Sequence, residues 1–181
     1  MYIAEQLKKK SVAEYLLYMW QVEDTLRAYG LDAEKMAMEY IPQFGLDEAK
    51  SETLKGWYES LIQMMREEGV TERGHLQVNK NIIILLTDLH AQLLKSSKHP
   101  FYSAAYYKAL PFIVELRAKS VDSQEKNEIE NCFDALYGTM LLRAQKTDVS
   151  AETATAMDNI AKFIGMLSEY YKKDKAGEVE F

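Results

Sequence analysis

Residues 75–96 read HLQVNKNIIILLTDLHAQLLKS and predict a helix that is apolar over most of its circumference. The apolar positions recur at helical spacing, and they are Val78, Ile82, Ile83, Leu85, Leu86, Leu89, Leu93 and Leu94. A helix with so little polar surface is usually enclosed by other helices. We therefore expect this segment to be the central helix of a bundle.

Residues that favour helix starts recur along the rest of the chain. They predict six further helices, and they are Ser11, Asp32, Asp47, Pro100, Asp122 (with Glu125 as a capping box) and Ser150. No alternating strand pattern occurs, and the connections are short. The sequence thus predicts an all-α, single-domain helical bundle of six long helices plus one short helix, mostly with antiparallel neighbours. We expect the domain to span residues 1–173, with a flexible C-terminal tail at 174–181.

Charge and composition exclude several classes of protein. The chain has 22 basic and 28 acidic residues, and this acidic balance disfavours nucleic acid as a partner. The longest aliphatic run is Ile82–Leu86, far below the roughly 20 residues of a membrane span, so we expect no stable membrane insertion. The single cysteine, Cys132, cannot form an internal disulfide and suggests a buried thiol in a cytoplasmic protein.

Two strings carry a family resemblance: AEYLLYMWQVED at 13–24, and GHLQVNKN at 74–81 continuing through Ile82 and Leu86 to His90. They resemble an uncharacterised family of all-helical proteins of about this length, found mainly in Bacteroidetes and catalogued only as a domain of unknown function. The resemblance extends over nearly the whole chain. It implies a bacterial, cytoplasmic, single-domain protein, and it implies no reaction and no cofactor.

Polar residues inside apolar stripes are candidates for a site. In the helix predicted at 11–29, Glu23 lies within the apolar face and Arg27 lies one turn later. A carboxylate that faces a core needs a partner or must take up a proton. Three interpretations stay open: a structural Glu23–Arg27 pair, a polar pocket inside the bundle, and exposure at the rim.

Two further helices place polar groups on apolar faces. His75, Asn79 and His90 share one face, but the two histidines are roughly 22 Å apart along a helix and cannot share a metal. They are either satisfied core residues or, around His90, part of a ligand site. Arg117 falls in the stripe of a tyrosine-rich helix that carries Tyr106, where it either packs structurally or pairs with a buried acid such as Glu23. The candidate pocket comprises Glu23, Arg27, His90, Tyr106 and Arg117.

The sequence contains no complete motif for catalysis or metal binding. Glu72 and His75 have the Glu-x-x-His spacing of di-iron bundles, but those proteins need two such motifs and further carboxylates. The third histidine, His99, precedes Pro100 in a connection. No phosphate-binding glycine loop or nucleophile elbow occurs. We predict no catalytic residues, no metal ion and no cofactor.

The last predicted helix carries a second apolar stripe, formed by Phe163, Met166 and Tyr170. Spacing of three and four residues is what a partner helix contacts. Either a second copy of the chain or the N-terminal segment with Tyr2 and Ile3 would cover this stripe.

The leading hypothesis is therefore a non-enzymatic interaction or scaffold protein that self-associates, as a homodimer, through helical faces. The alternative is a small-ligand-binding bundle with a polar interior pocket. An enzyme is the least favoured of the three.

Overall fold

A computed structural model describes residues 1–118 and 125–181, and it contains only helices and connections in these ranges. The α-helices are α1 (Tyr2–Lys10), α2 (Val12–Ala28), α3 (Ala33–Glu39), α4 (Glu48–Glu67), α5 (Gln77–Lys95), α6 (Pro100–Ala118), α7 (Glu128–Ala144) and α8 (Ala151–Lys175), with a 3-10 helix (Ile41–Phe44) between α3 and α4. The predicted all-α fold is confirmed. No helix in the described ranges is long and apolar enough to cross a membrane.

Side-chain caps set four of the helix starts where the sequence predicts them. Each cap oxygen accepts the backbone N–H three residues later, and the caps are Ser11, Asp32, Asp47 and Ser150. The start predicted at Asp122 lies outside the described residues. The described helix α7 follows Asn127, whose side chain accepts the N–H of Glu130 at 2.8 Å.

Helix α1 was not predicted. It is nine residues long, it packs on α2, and it buries Ala4. Three lysines at positions 8–10 occupy its last turn, where positive charge is favoured by the helix dipole.

The central helix is α8, not α5. Helix α8 packs against α2, α5, α6 and α7. Helix α5 leaves Val78, Ile84 and Leu85 between 43 % and 51 % exposed, so the expectation that α5 is enclosed is wrong. A 25-residue helix with apolar residues on two faces can be surrounded, and α8 has both features.

The second apolar stripe of α8 faces this chain's own helices. Phe163 has no exposed surface, and its ring lies 5.5 Å from those of His90 and Tyr106. Met166 is partly buried, and Tyr170 packs edge-on against His99 at 5.0 Å. Helices α5 and α6 thus cover the stripe predicted for a partner helix or for the N-terminal segment. Phe163 has no surface left for a second copy.

Helix α8 extends to Lys175, two residues beyond the predicted domain end at 173. After it, the backbone oxygen of Glu180 lies 2.9 Å from Nε2 of His99, and the Glu180 carboxylate pairs with Lys98 at 3.3 Å. These contacts connect the C-terminal residues to the α5–α6 connection.

Candidate functional site

One face of α2 organises the segment 69–76 between α4 and α5. Trp20, Glu23 and Arg27 follow one another at spacings of three and four residues, so their side chains lie along one face of the helix. All three contact this segment or the start of α5. The face therefore links the first long helix to a part of the chain some fifty residues away.

Glu23 caps the start of α5 together with Glu68, whose carboxylate accepts the backbone N–H of Gln77 at 2.6 Å. The side chain of Glu23 has no exposed surface, and its Oε1 accepts the backbone N–H of Leu76 at 3.1 Å and Nδ2 of Asn79 at 2.7 Å. Leu76 is the N-cap residue of α5 and has no side-chain oxygen to offer. A carboxylate is favoured at a helix N-terminus because of the exposed N–H groups and the helix dipole. These contacts explain why Glu23 can be buried without an arginine or lysine beside it.

His75 is held on two sides. Its Nδ1 lies 2.6 Å from Oε2 of Glu23, and its ring stacks on the indole of Trp20 with centroids 3.9 Å apart and planes 10° from parallel. An ionised carboxylate only accepts hydrogen bonds, so opposite ionised Glu23 the Nδ1–H of His75 donates. The second ring nitrogen, Nε2, then remains for another partner. The imidazole side chain keeps 22 % of its surface exposed.

Arg27 fastens the same segment from the next turn of α2. Its Nη1 donates to Asp24 at 2.7 Å, and its Nη2 donates to the backbone oxygens of Val70 and Gly74. The hydroxyl of Tyr137 on α7 donates to the other oxygen of Asp24 at 2.7 Å. Gly74 has a φ of 85°, a conformation that glycine adopts without strain, and it allows the chain to turn into α5. The position of His75 is thereby fixed by backbone contacts as well as by its own ring.

Three buried polar atoms at this site have no hydrogen-bond partner among the described residues. They are Nε1 of Trp20, Nε of Arg27 and Oδ1 of Asn79. Trp20 is 2 % exposed and Asn79 is fully buried. Most buried polar groups in proteins are paired, so an unpaired one marks a place where a water or ligand atom is stabilising.

A pocket of about 200 Å³ opens beside the stacked pair. Its walls come from α2, the start of α5 and the start of α7, and they are Trp20, His75, Gln77, Lys80, Ile83, Ile84, Asn127 and Glu130. Trp20 and Ile83 are buried, whereas Lys80 and Ile84 are exposed at the mouth. An apolar floor with a few polar groups at the rim is the usual composition of a small-molecule site.

The structure divides the five predicted pocket residues between two places. Glu23 and Arg27 lie in the α2 cluster just described, but in the described part of the chain they form no ion pair with each other. His90, Tyr106 and Arg117 lie in a second cluster, where Arg117 contacts Glu128 at 3.6 Å instead of Glu23. A helical wheel shows only neighbours within one helix, whereas the hydrogen-bond partners of Glu23 come from a distant segment of the chain.

The second cluster is a packed aromatic group. The rings of His90 and Tyr106 are 4.8 Å apart, and Nδ1 of His90 lies 2.6 Å from the hydroxyl of Tyr102. The hydroxyl of Tyr106 donates to Glu128 at 2.8 Å. Burial lowers the pKa of His90 below its ordinary value, partly offset by the nearby Glu128 charge. Burial also raises the pKa of the Cys132 thiol, so this cysteine is unreactive.

Residues 1–118 and 125–181 contain no candidate metal site. No group of three or more histidine, cysteine, aspartate or glutamate side chains there is placed to hold an ion. The pair Glu72 and His75 has no such group around it, and His75 is engaged with Glu23.

Residues 1–178 match the family model described as "Domain of unknown function (DUF4924)". The chain belongs to this family. No curated protein and no solved structure matches it. The two strings that carry the resemblance, 13–24 and 74–81, meet in space at the DUF4924 pocket, because one contains Trp20 and Glu23 and the other contains His75 and Asn79.

Sequence reasoning missed the Trp20–His75 stack and the contribution of α7 to the pocket. One signal for the first was available: the predicted helix at 75–96 has no serine, threonine, aspartate or asparagine at its start. A helix start without a local cap requires a partner from elsewhere, and Glu23 was the buried acid without a partner. Asn127 and Glu130 gave no comparable signal.

Proposed function

We propose that this DUF4924 protein is a small-ligand-binding helical bundle whose site is the pocket beside Trp20 and His75. One observation carries the proposal. The imidazole of His75 is fixed by Glu23 on one nitrogen and by the indole on one face, while its other nitrogen is left for a ligand. A polar group held in this way is preorganised for recognition.

The energetic cost of the arrangement supports a role beyond packing. A fully buried carboxylate is expensive to desolvate, and here the cost is compensated by three hydrogen bonds, from His75, Leu76 and Asn79. Capping α5 uses the bond from Leu76 to Glu23 and a second bond from the backbone N–H of Gln77 to Glu68. The bonds to His75 and Asn79 additionally fix two side chains, and His75 is one of the residues that line the pocket.

The size of the pocket limits the ligand. A volume of about 200 Å³ is smaller than the roughly 300–1,000 Å³ typical of sites for drug-sized molecules. It suits a compact metabolite and excludes a nucleotide or a folded peptide. The proposed class is therefore a small metabolite bound largely through its apolar body.

Intrinsic fluorescence provides the test. The chain has two tryptophans, and Trp57 lies on α4 outside the pocket, so a Trp57→Phe variant reports on Trp20 alone. We expect at least one fraction of a bacterial small-molecule extract to change its emission in a saturable way. Ile84→Phe, which enlarges a pocket residue, should weaken the response, and Leu85→Phe, an exposed neighbour outside the lining, should not. A response unaltered by Ile84→Phe, or the absence of any response, contradicts the proposal.

Self-association is the second candidate function, on a different surface from the one predicted. Tyr107 and Val114 on α6 are 63 % and 57 % exposed, and their spacing of seven residues places them on one helix face. This face would contact a second copy. A dimer in light scattering, converted to a monomer by Tyr107→Ser combined with Val114→Ser, is expected. A monomeric native protein would contradict this candidate and leave the pocket unaffected.

The setting we infer is the bacterial cytoplasm. The family resemblance supports the bacterial origin, and Cys132 supports the compartment because it is the only cysteine and is buried. A reduced, buried thiol is the usual state in a reducing compartment.

A further inference from the structure

We infer that the ligand of this pocket is a small zwitterion with an apolar body, of the size and charge of an apolar α-amino acid. The inference rests on the proposed function and specifies the ligand class. It comes from two charged residues of the lining, Lys80 and Glu130, which have opposite signs and lie on different helices.

Lys80 offers a positive charge to the pocket. It belongs to the first turn of α5, is exposed at the mouth, and has no ion pair or side-chain hydrogen bond with any described residue. Lys55 and Lys126, by contrast, are engaged: Lys55 pairs with Glu34 at 2.6 Å and Lys126 with Asp134 at 2.7 Å. An ammonium group at the rim of a cavity is a natural partner for a carboxylate.

Glu130 offers a negative charge from the start of α7. It is half-buried in the first turn of α7, and its carboxylate has no partner within the described ranges, although its backbone N–H is held by Asn127. By contrast, its neighbour Glu128 contacts both Tyr106 and Arg117. The Glu130 carboxylate is thus available to accept hydrogen bonds from an ammonium group.

The two charges share a cavity without pairing with each other. No ion pair joins Lys80 and Glu130 in the part of the chain that the structure describes. Glu130 repels a phosphate or a dicarboxylate, and Lys80 repels a polyamine or a bare cation. A molecule with one carboxylate and one ammonium group satisfies both residues.

The remaining lining suits the body of such a molecule. Trp20, Ile83 and Ile84 form an apolar wall. Nε2 of His75 and the amide nitrogen of Asn127 add polar contacts close to the charged groups, and both residues are only half-buried. A volume of about 200 Å³ restricts the apolar part to a few carbon atoms.

The experiment uses the full chain with Trp57→Phe and five probes: valine, leucine, isoleucine, methionine and phenylalanine. We expect at least one to bind saturably. For the best binder, the methyl ester (no carboxylate) and the N-acetyl derivative (no ammonium) should each bind at least tenfold more weakly.

Charge-removing variants then assign each charge to its residue. Lys80→Gln should weaken the free amino acid at least tenfold while leaving its methyl ester unchanged. Glu130→Gln should weaken the free amino acid while leaving the N-acetyl derivative unchanged or tighter. Lys95→Gln on α5 and Glu169→Gln on α8 are the matched controls, because both residues are exposed and lie outside the pocket lining, and they should bind like the parent.

Three results would overturn the inference: binding of none of the five probes, equal binding of the ester and the free amino acid, or binding unaffected by Lys80→Gln and Glu130→Gln. The proposed function fails separately. An uncharged or singly charged metabolite from the extract could instead change the Trp20 fluorescence in a saturable way and lose this effect in the Ile84→Phe variant. In that case the pocket is a ligand site and only the zwitterion assignment is wrong.

Discussion

The indole of Trp20 lies flat against the imidazole of His75, at 3.9 Å between ring centroids. On its other sides the indole meets the rings of Phe133 at 6.0 Å and Tyr137 at 5.8 Å, both on α7. The stack therefore joins α2, the start of α5 and α7 at one point, and the pocket opens at that point. A molecule that contacts His75 changes the environment of Trp20 directly.

Glu23→Gln is expected to lower the free energy of unfolding by about 3 kcal/mol. The glutamine side chain has nearly the same shape, and its oxygen can keep the bonds from Leu76 and Asn79. Its amide nitrogen takes the place of Oε2 and cannot accept the bond from Nδ1–H of His75, and the negative charge at the start of α5 is lost. Urea unfolding followed by circular dichroism measures the loss. The control is Glu14→Gln on the same helix, where an exposed pair with Lys10 is worth less than about 1 kcal/mol. Equal losses for the two variants would show that Glu23 is not held as described.

Arg27→Met is expected to loosen the segment 69–76. The variant removes the hydrogen bonds to the backbone oxygens of Val70 and Gly74 and should lower the free energy of unfolding by about 2 kcal/mol. Amide hydrogen exchange should accelerate in residues 70–76 more than in α8. Arg143→Met, at an exposed position in the last turn of α7, should alter neither measurement. Uniform acceleration throughout the chain would contradict a local role for Arg27.

Burial of His90 predicts a pH dependence of stability. The pKa of His90 is lowered in the folded protein by desolvation, so between the folded pKa and the ordinary value of 6.5 the unfolded chain binds the extra proton. The contribution of neutral His90 to the free energy of unfolding should therefore be complete above pH 6.5. It should decrease as the pH falls toward the pKa of His90 in the folded protein. Glu128, which opposes the lowering, and the hydroxyls of Tyr102 and Tyr106 are the groups around the ring.

His90→Gln tests this assignment. The variant should be less stable at pH 7, because it loses the ring contacts with Tyr106 and Phe163, but its stability should change less between pH 7 and pH 5. His99→Gln, in the α5–α6 connection, should retain the pH dependence of the native protein. If His90→Gln keeps the full slope, other groups are responsible for it.

Phe163→Ala should unfold the protein rather than dissociate a dimer. The side chain is completely buried between α8, α5 and α6, and removing a core phenylalanine costs about 3–5 kcal/mol. Phe101→Ala removes the same side chain at an 82 % exposed position and should change stability by less than about 0.5 kcal/mol. A folded Phe163→Ala monomer formed from a native dimer would restore the interface interpretation of this residue.

The helices follow from local patterns, whereas their partners do not. Ser11, Asp32, Asp47 and Ser150 cap the helices that the sequence predicts, because a cap involves residues only three positions apart. The wheel also placed Glu23 on a buried face, which is correct. It could not supply the partners of Glu23, because those come from a turn more than fifty residues downstream.

The wrong sequence predictions concern which faces of α8 and α5 are buried, and which helices cover them. Phe163 and Ile164 lie on different faces of α8, and both are buried. A helical wheel cannot show whether the second apolar face is covered by helices of the same chain or by a second copy. The same limit made α5 the expected central helix, since Val78 and Leu85 were counted with its apolar positions although both side chains are exposed. The pocket needs α2, α5 and α7 together, and no single helix of the sequence reveals it.

Native mass spectrometry of the protein purified gently from bacterial cells tests the central claim most directly. The account predicts that the native protein retains a molecule of defined small mass. The Ile84→Phe variant should lose this molecule, and the Leu85→Phe variant should keep it, with both variants as fully folded as the native protein. The spectrum also gives the number of subunits. Retention of the same molecule by Ile84→Phe, or a native protein that carries no small molecule and binds none from a concentrated extract, would contradict a ligand site beside Trp20 and His75.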